Sequence, residues 1–137
     1  MFIMLLGKVF HKAGNVFYFI FRIFIGFLFF QHGAQKLLGW FTDNDPVALF
    51  SLMGAAGLIE SIGGLFIILG LFTRLVSLIA GIEMIVAYFM AHIPNGFIPI
   101  QNGGELALLY LASYILMLAY GPGKWSLEKA LFKKEIF

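Results

Sequence analysis

The sequence predicts an all-α fold, an integral membrane four-helix bundle with short interfacial helices, and three observations carry that expectation. Hydrophobic residues make up 61% of the chain and charged residues 12%, about half of the ~25% charged of a soluble domain. The apolar residues fall in long runs, Val16 to Phe30, Ala48 to Phe72, Leu75 to Ala91 and Leu106 to Tyr120, near the ~20 residues that cross a bilayer. Turn-forming residues close each run, as in Gly121-Pro122-Gly123. The chain of 137 residues therefore reads as one domain, with spans at about 14–38, 47–72, 74–92 and 104–120.

The N-terminal stretch Met1 to Lys12 has only a small apolar patch before Lys8, His11 and Lys12. A secretory signal needs a longer apolar core, so an uncleaved interfacial segment is expected. In the first span Arg22 alone interrupts Val16 to Phe30. Tyr18, Gly26, Phe29, Gly33 and Lys36 stay within ~40° of it on a helix, so one face carries two cations and two glycines into the bundle.

Asp45-Pro46 has the form of an N-cap followed by a first-turn proline. From Pro46 to Phe72 a continuous helix would be ~40 Å long against a ~30 Å hydrocarbon layer. Either that helix tilts or, the favoured reading, Pro46 to Met53 is a separate short helix ending near Gly54. At the centre of the second span Gly57, Glu60, Ser61 and Gly64 share one ~100° arc. Small residues admit a close neighbour, so Glu60 faces protein. It is either a satisfied polar residue in a packing seam or a functional carboxylate.

Gly70 and Thr73 form the next turn, with Thr73 expected to cap the third span and Arg74 at headgroup level. Glu83 sits near the middle of that span, with Ile79, Ala87 and Met90 on its face. His92 falls on the opposite face unless Pro94 has ended the helix. Residues 92–102 are expected to be a non-helical connection, at the surface or re-entrant. Asn102-Gly103-Gly104-Glu105 has capping-box spacing and opens the fourth span. After it, Ser126 caps a short helix that sets Leu127, Ala130 and Leu131 against Glu128, Lys129, Lys133 and Lys134, suited to an anionic leaflet.

Charge places the ends. Lys8, Lys12, Arg74, Lys124, Lys129, Lys133 and Lys134 fall on one side of the membrane and Lys36 on the other, so both termini are expected in the cytoplasm and the protein in the cell membrane. The net charge of +2 is spread by topology and argues for no nucleic-acid partner. The chain has no cysteine, which excludes disulfides, thiolate metal sites and a CxxC redox pair.

An unpaired ion at the bilayer centre costs ~2.5–3.5 kcal/mol on insertion scales. Arg22, Glu60 and Glu83 lie near that level, so Arg22 is expected to pair with one of the two acids. The surplus acid, protonated, bonded to a hydroxyl or facing a watery cavity, is then the better functional candidate. Nearer the outer face His32, Lys36 and Glu105 form either an ordinary solvated rim or a polar pocket in which Lys36 pairs with Glu105 and His32 handles a proton. His32 and His92 could also hold a haem from two helix ends, but two histidines alone are a weak signal. Two-metal carboxylate chemistry would need paired Glu-x-x-His spacings, and none occurs.

Taken in order, Arg22-x3-Gly26, His32-Gly33-x2-Lys36-Leu37, Glu60-x2-Gly63-Gly64, Gly70-Leu71-x-Thr73-Arg74, Glu83-Met84, Asn102-Gly103-Gly104-Glu105 and Gly121-Pro122-Gly123-x-Trp125-Ser126 resemble the DoxX family over nearly the whole chain. That resemblance implies a four-helix membrane protein related to the small subunit of thiosulfate:quinone oxidoreductase and to membrane subunits of oxidoreductase complexes. It carries over Arg22, Lys36, Glu60, Glu83 and Glu105 as motif positions. Two expectations follow. One is a redox membrane subunit whose bundle offers a quinone a protonatable polar end beside an apolar slot, acting with a soluble or membrane partner. The other is a non-catalytic anchor, assembly partner or small proton-coupled carrier, with a homo-oligomer also expected from so small and apolar a chain.

Overall fold

The computed structural model describes residues 1–136, which hold helices and no strand. The α-helices are α1 (Phe2–Lys12), α2 (Gly14–Leu38), α3 (Leu52–Leu69), α4 (Thr73–Ala87), α5 (Pro99–Asn102), α6 (Glu105–Tyr120) and α7 (Leu127–Phe132). A π-helical turn, Tyr88–His92, and a 3-10 turn, Ile93–Asn95, extend α4. Gly14–Leu38, Leu52–Leu69 and Thr73–Asn95 are long and apolar enough to cross a membrane. Helix α6 is apolar but shorter, 16 residues or ~24 Å.

Two tightly packed helix pairs, α2 with α3 and α4 with α6, join along a looser α3–α4 seam. Glycines set the first pair. A Cβ on Gly26 would lie 2.8 Å from the Gly64 carbonyl oxygen, and one on Gly64 would lie 2.6 Å from the Phe30 amide. Gly33 abuts Ser61 and Gly57 in the same way. Backbones this close gain dispersion and dipolar contact where lipid offers no hydrophobic drive. The shared core is Phe29, Ile67, Ala80, Tyr114 and Met117, each fully buried, with the Phe29 ring 5.2 Å from that of Tyr114.

Several local expectations are corrected. Residues 46–50 form no helix; α3 starts at Leu52, because the Ser51 hydroxyl accepts the Gly54 amide at 3.0 Å and so supplies the cap itself. The Val47 amide instead donates to the Lys36 carbonyl at 2.9 Å, folding this loop back onto the end of α2. Thr73 does not cap α4. It is the first helical residue and fully buried, while the Phe72 amide donates to Glu128 Oε2 at 2.7 Å. The capping box at Asn102 does not form either. Asn102 ends α5, its Oδ1 accepts the Gly104 amide at 2.8 Å, and Glu105 is left exposed in the first turn of α6.

The C-terminal segment is strapped to the bundle. Gly70, at φ +66°, turns the chain where a side chain would strike the Arg22 guanidinium. Its carbonyl accepts the Glu128 amide at 3.1 Å. Ser126 caps α7 as expected, accepting from Lys129. Glu128, expected on the wet face, is fully buried, since its carboxylate takes the amides of Phe72 and Ile136.

Candidate functional site

The close-crossing glycines determine which ions meet. Gly26 stands against Gly64 and Ile68, and Gly33 against Ser61 and Gly57, so α2 and α3 run antiparallel with Arg22 near Ile68 and Lys36 near Gly57. Ile68 is eight residues from Glu60, a rise of ~12 Å. Arg22 therefore pairs with neither Glu60 nor Glu83, contrary to the sequence expectation. It is 1% exposed, and its guanidinium donates to the carbonyls of Pro122, Trp125 (2.8 Å) and Ile68 (3.4 Å). These carbonyls serve both terminal nitrogens of the buried guanidinium, while Nε is buried without a hydrogen-bond partner among the described residues.

Lys36 is the cation of the acidic site. Its Nζ lies 2.8 and 2.6 Å from the two oxygens of Glu60, with the side chains 19% and 7% exposed. The expected Lys36–Glu105 pair is absent, because the long lysine stem reaches down one turn to the buried acid. Glu83 is the surplus carboxylate. Its Oε2 is buried without a hydrogen-bond partner among the described residues.

Two cavities meet at the pair. Along the α3–α4 seam a groove of about 630 Å³ is lined by Lys36, Glu60 and Glu83 and otherwise by apolar side chains, among them Ile59, Ile79, Ile82 and Met90. Ile59 and Ile79 also border an apolar furrow of about 300 Å³ that runs on toward Phe66 and Phe72. On the other side a cavity of about 260 Å³ is lined by Lys36 and Glu60 together with His32, His92 and Tyr110. Lys36 and Glu60 thus form part of the wall of both.

His32 meets Tyr110 edge-on, with ring centroids 6.0 Å apart. The π-helical turn swings His92 so that its Nδ1 lies 3.1 Å from the Asn102 carbonyl. Both histidines line the one cavity. A volume of 260 Å³ lies below the ~300–1,000 Å³ of ligand sites and suits water better than a porphyrin. Of the residues singled out from sequence, Lys36, Glu60, Glu83, His32 and His92 are gathered here; Arg22 and Glu105 are not. Tyr110 was missed, although its spacing from Tyr114 marked one face of α6. Its hydroxyl is buried with no partner among the described residues.

A DoxX family model matches residues 17–93. The chain is similar to an uncharacterized protein of Haemophilus influenzae, 39% identical over 119 residues that cover 82% of this chain and 89% of that one. A second uncharacterized protein of that organism is 32% identical over 126 residues, covering 84% and 82%. An uncharacterized membrane protein of Mycobacterium tuberculosis is 26% identical over 146 aligned positions, covering 93% of this chain and 88% of that one. No solved structure matches the chain.

Proposed function

This chain belongs to the DoxX family of membrane proteins, and on that premise we propose that it is a multi-pass subunit that binds a quinone-class amphiphile in the α3–α4 groove and acts with a redox partner. The observation that carries this reading is the Glu83 carboxyl group, whose Oε2 has no hydrogen-bond partner among the described residues, in the wall of a groove that is otherwise apolar apart from the Lys36–Glu60 pair. A protonated Glu83 carboxyl would donate to a ligand carbonyl and an ionised one would accept from a ligand hydroxyl, and the apolar furrow beyond Ile59 and Ile79 would take an isoprenoid tail.

Reduction of a bound quinone takes two electrons and two protons. The chain has no thiol, so the electrons are assigned to the partner. Glu83 holds or passes a proton at its carboxylate, Lys36 and Glu60 fix the polar end of the groove, and the aliphatic walls exclude water. Both termini are placed in the cytoplasm of the cell membrane on the distribution of lysine and arginine. A cysteine at Asn44 should then react with an impermeant thiol reagent in intact cells and one at Lys134 should not.

Equilibrium binding of a radiolabelled short-chain ubiquinone to the protein in nanodiscs tests the site. Glu83→Leu should weaken binding by roughly tenfold, the cost of leaving the quinone carbonyl without its hydrogen-bond donor, and Ile82→Trp should block the groove. Equal affinity in all three proteins would remove the proposal. The shared wall of Lys36 and Glu60 favours one alternative, a small proton-coupled carrier in which that pair separates outer and lipid-facing compartments. It expects proton flux in liposomes without any quinone.

A further inference from the structure

At the opposite end of the bundle from Lys36, a cavity of about 830 Å³ lies between the α1–α2 elbow and the segment after α6. Its origin is local. Helix α6 stops at Gly121, whose carbonyl accepts the Tyr18 hydroxyl at 2.5 Å. The Tyr18 ring occupies the place of a side chain at Gly123, where a Cβ would lie 2.7 Å from it. The chain therefore turns away beneath Tyr18, leaving open space between the start of α2 and the end of α6. Gly14 borders this space, and a Cβ there would meet nothing within 4 Å.

The cavity lining is part polar and part apolar. His11, Asn15, Lys124 and Lys129 supply the polar part, Phe17 and Leu116 belong to the apolar part, and no acid lines it among the described residues. The nearby acids are engaged elsewhere. Glu135 is held at 2.7 Å by both Arg74 and Lys129, and Glu128 is buried among backbone amides. Lys8, Lys12, Lys133 and Lys134 lie in the adjoining α1 and C-terminal segments. The result is a cationic lining beside apolar surface.

We propose that this cavity binds one anionic phospholipid. Lys124 meets the phosphodiester, His11 and Asn15 hydrogen-bond its oxygens, and the first carbons of the acyl chains lie on Phe17 and Leu116. Basic pockets between membrane helices recognise anionic headgroups in this way. Charge complementarity selects the headgroup, because a zwitterionic lipid would bring its own ammonium against Lys124. The apolar part of the lining selects a lipid over free phosphate, which would leave it uncovered.

The test is native mass spectrometry of the full chain, titrated with phosphatidylglycerol and with phosphatidylethanolamine of identical acyl chains. Wild type should hold one phosphatidylglycerol at concentrations where phosphatidylethanolamine is lost. Lys124→Gln should weaken that adduct by roughly fivefold, the effect of one lysine at an anionic surface. Gly14→Phe, which fills the cavity from a position with free space, should abolish the adduct while leaving the melting temperature unchanged. Millimolar inorganic phosphate should not compete. Equal retention of the two lipids, undiminished phosphatidylglycerol binding in a folded Gly14→Phe protein, or displacement by phosphate would each overturn the site.

Discussion

The guanidinium of Arg22 donates to the carbonyl of Pro122, one hundred residues along the chain. The first span is thereby tied to the segment that follows the last one. Two further carbonyls, of Trp125 and Ile68, also accept from it, and Gly70 provides the room. A cation buried in this way is a structural rivet between α2, the end of α3 and the C-terminal strap.

Arg22→Leu is therefore expected to destabilise the protein by about 3 kcal/mol or more, since hydrogen bonds to a charged group contribute ~1.5–3 kcal/mol each. Unfolding in detergent measures the loss, and proteolysis after Lys124 should accelerate as the strap loosens. Adding Glu60→Gln or Glu83→Gln should produce no coupling above ~0.5 kcal/mol. A larger interaction term would restore an Arg22–Glu pair.

Lys36 and Glu60 should behave in the opposite manner. Lys36→Met strands a carboxylate that is 7% exposed, and breaking a buried pair from one side costs ~3–5 kcal/mol. The double substitution Lys36→Met with Glu60→Gln should recover ~1–3 kcal/mol of that loss. Simple additivity in the unfolding free energies would show that the two charges do not support one another.

The close crossing of α2 and α3 makes Gly64→Leu strongly damaging, because a Cβ alone already falls 2.6 Å from the Phe30 amide. Leu65, 46% exposed, should tolerate Gly far better. Gly7→Leu, where a Cβ meets nothing within 4 Å, should leave folded yield unchanged. Comparable losses in all three proteins would mean that this crossing does not limit folding.

Glu135 gives a pH dependence outside the membrane. Hydrogen bonds from Lys129 and Arg74 hold its carboxyl below the ordinary glutamate value. A depressed folded-state pKa contributes stability above the unfolded value of ~4.3 and loses it as pH falls through the folded one. The strap should accordingly stay protease-resistant at neutral pH and become susceptible below about pH 4. Glu135→Gln should be insensitive to that acid step. An identical acid profile in the two proteins would assign the step to another group.

The sequence by itself determined that this is a helical membrane protein, where its long apolar helices run, and which faces carry the glycines. Long apolar runs and period-3.6 patterns are local properties, so Gly26 and Gly33 on the Arg22 face, and Gly57 and Gly64 on the Glu60 face, were legible without a fold. The identity of the Glu60 partner was not. Depth counted from each span's own midpoint set Arg22 near Glu60, whereas the glycine contacts shift α2 along α3 and bring Lys36 to Glu60 instead. Only the tertiary structure could fix that register, since it depends on which backbones approach and no single helix encodes it. The same holds for His92, which reaches the cavity of His32 through a π-helical turn, and for Glu128, whose burial follows from backbone amides more than fifty residues away in sequence at Phe72.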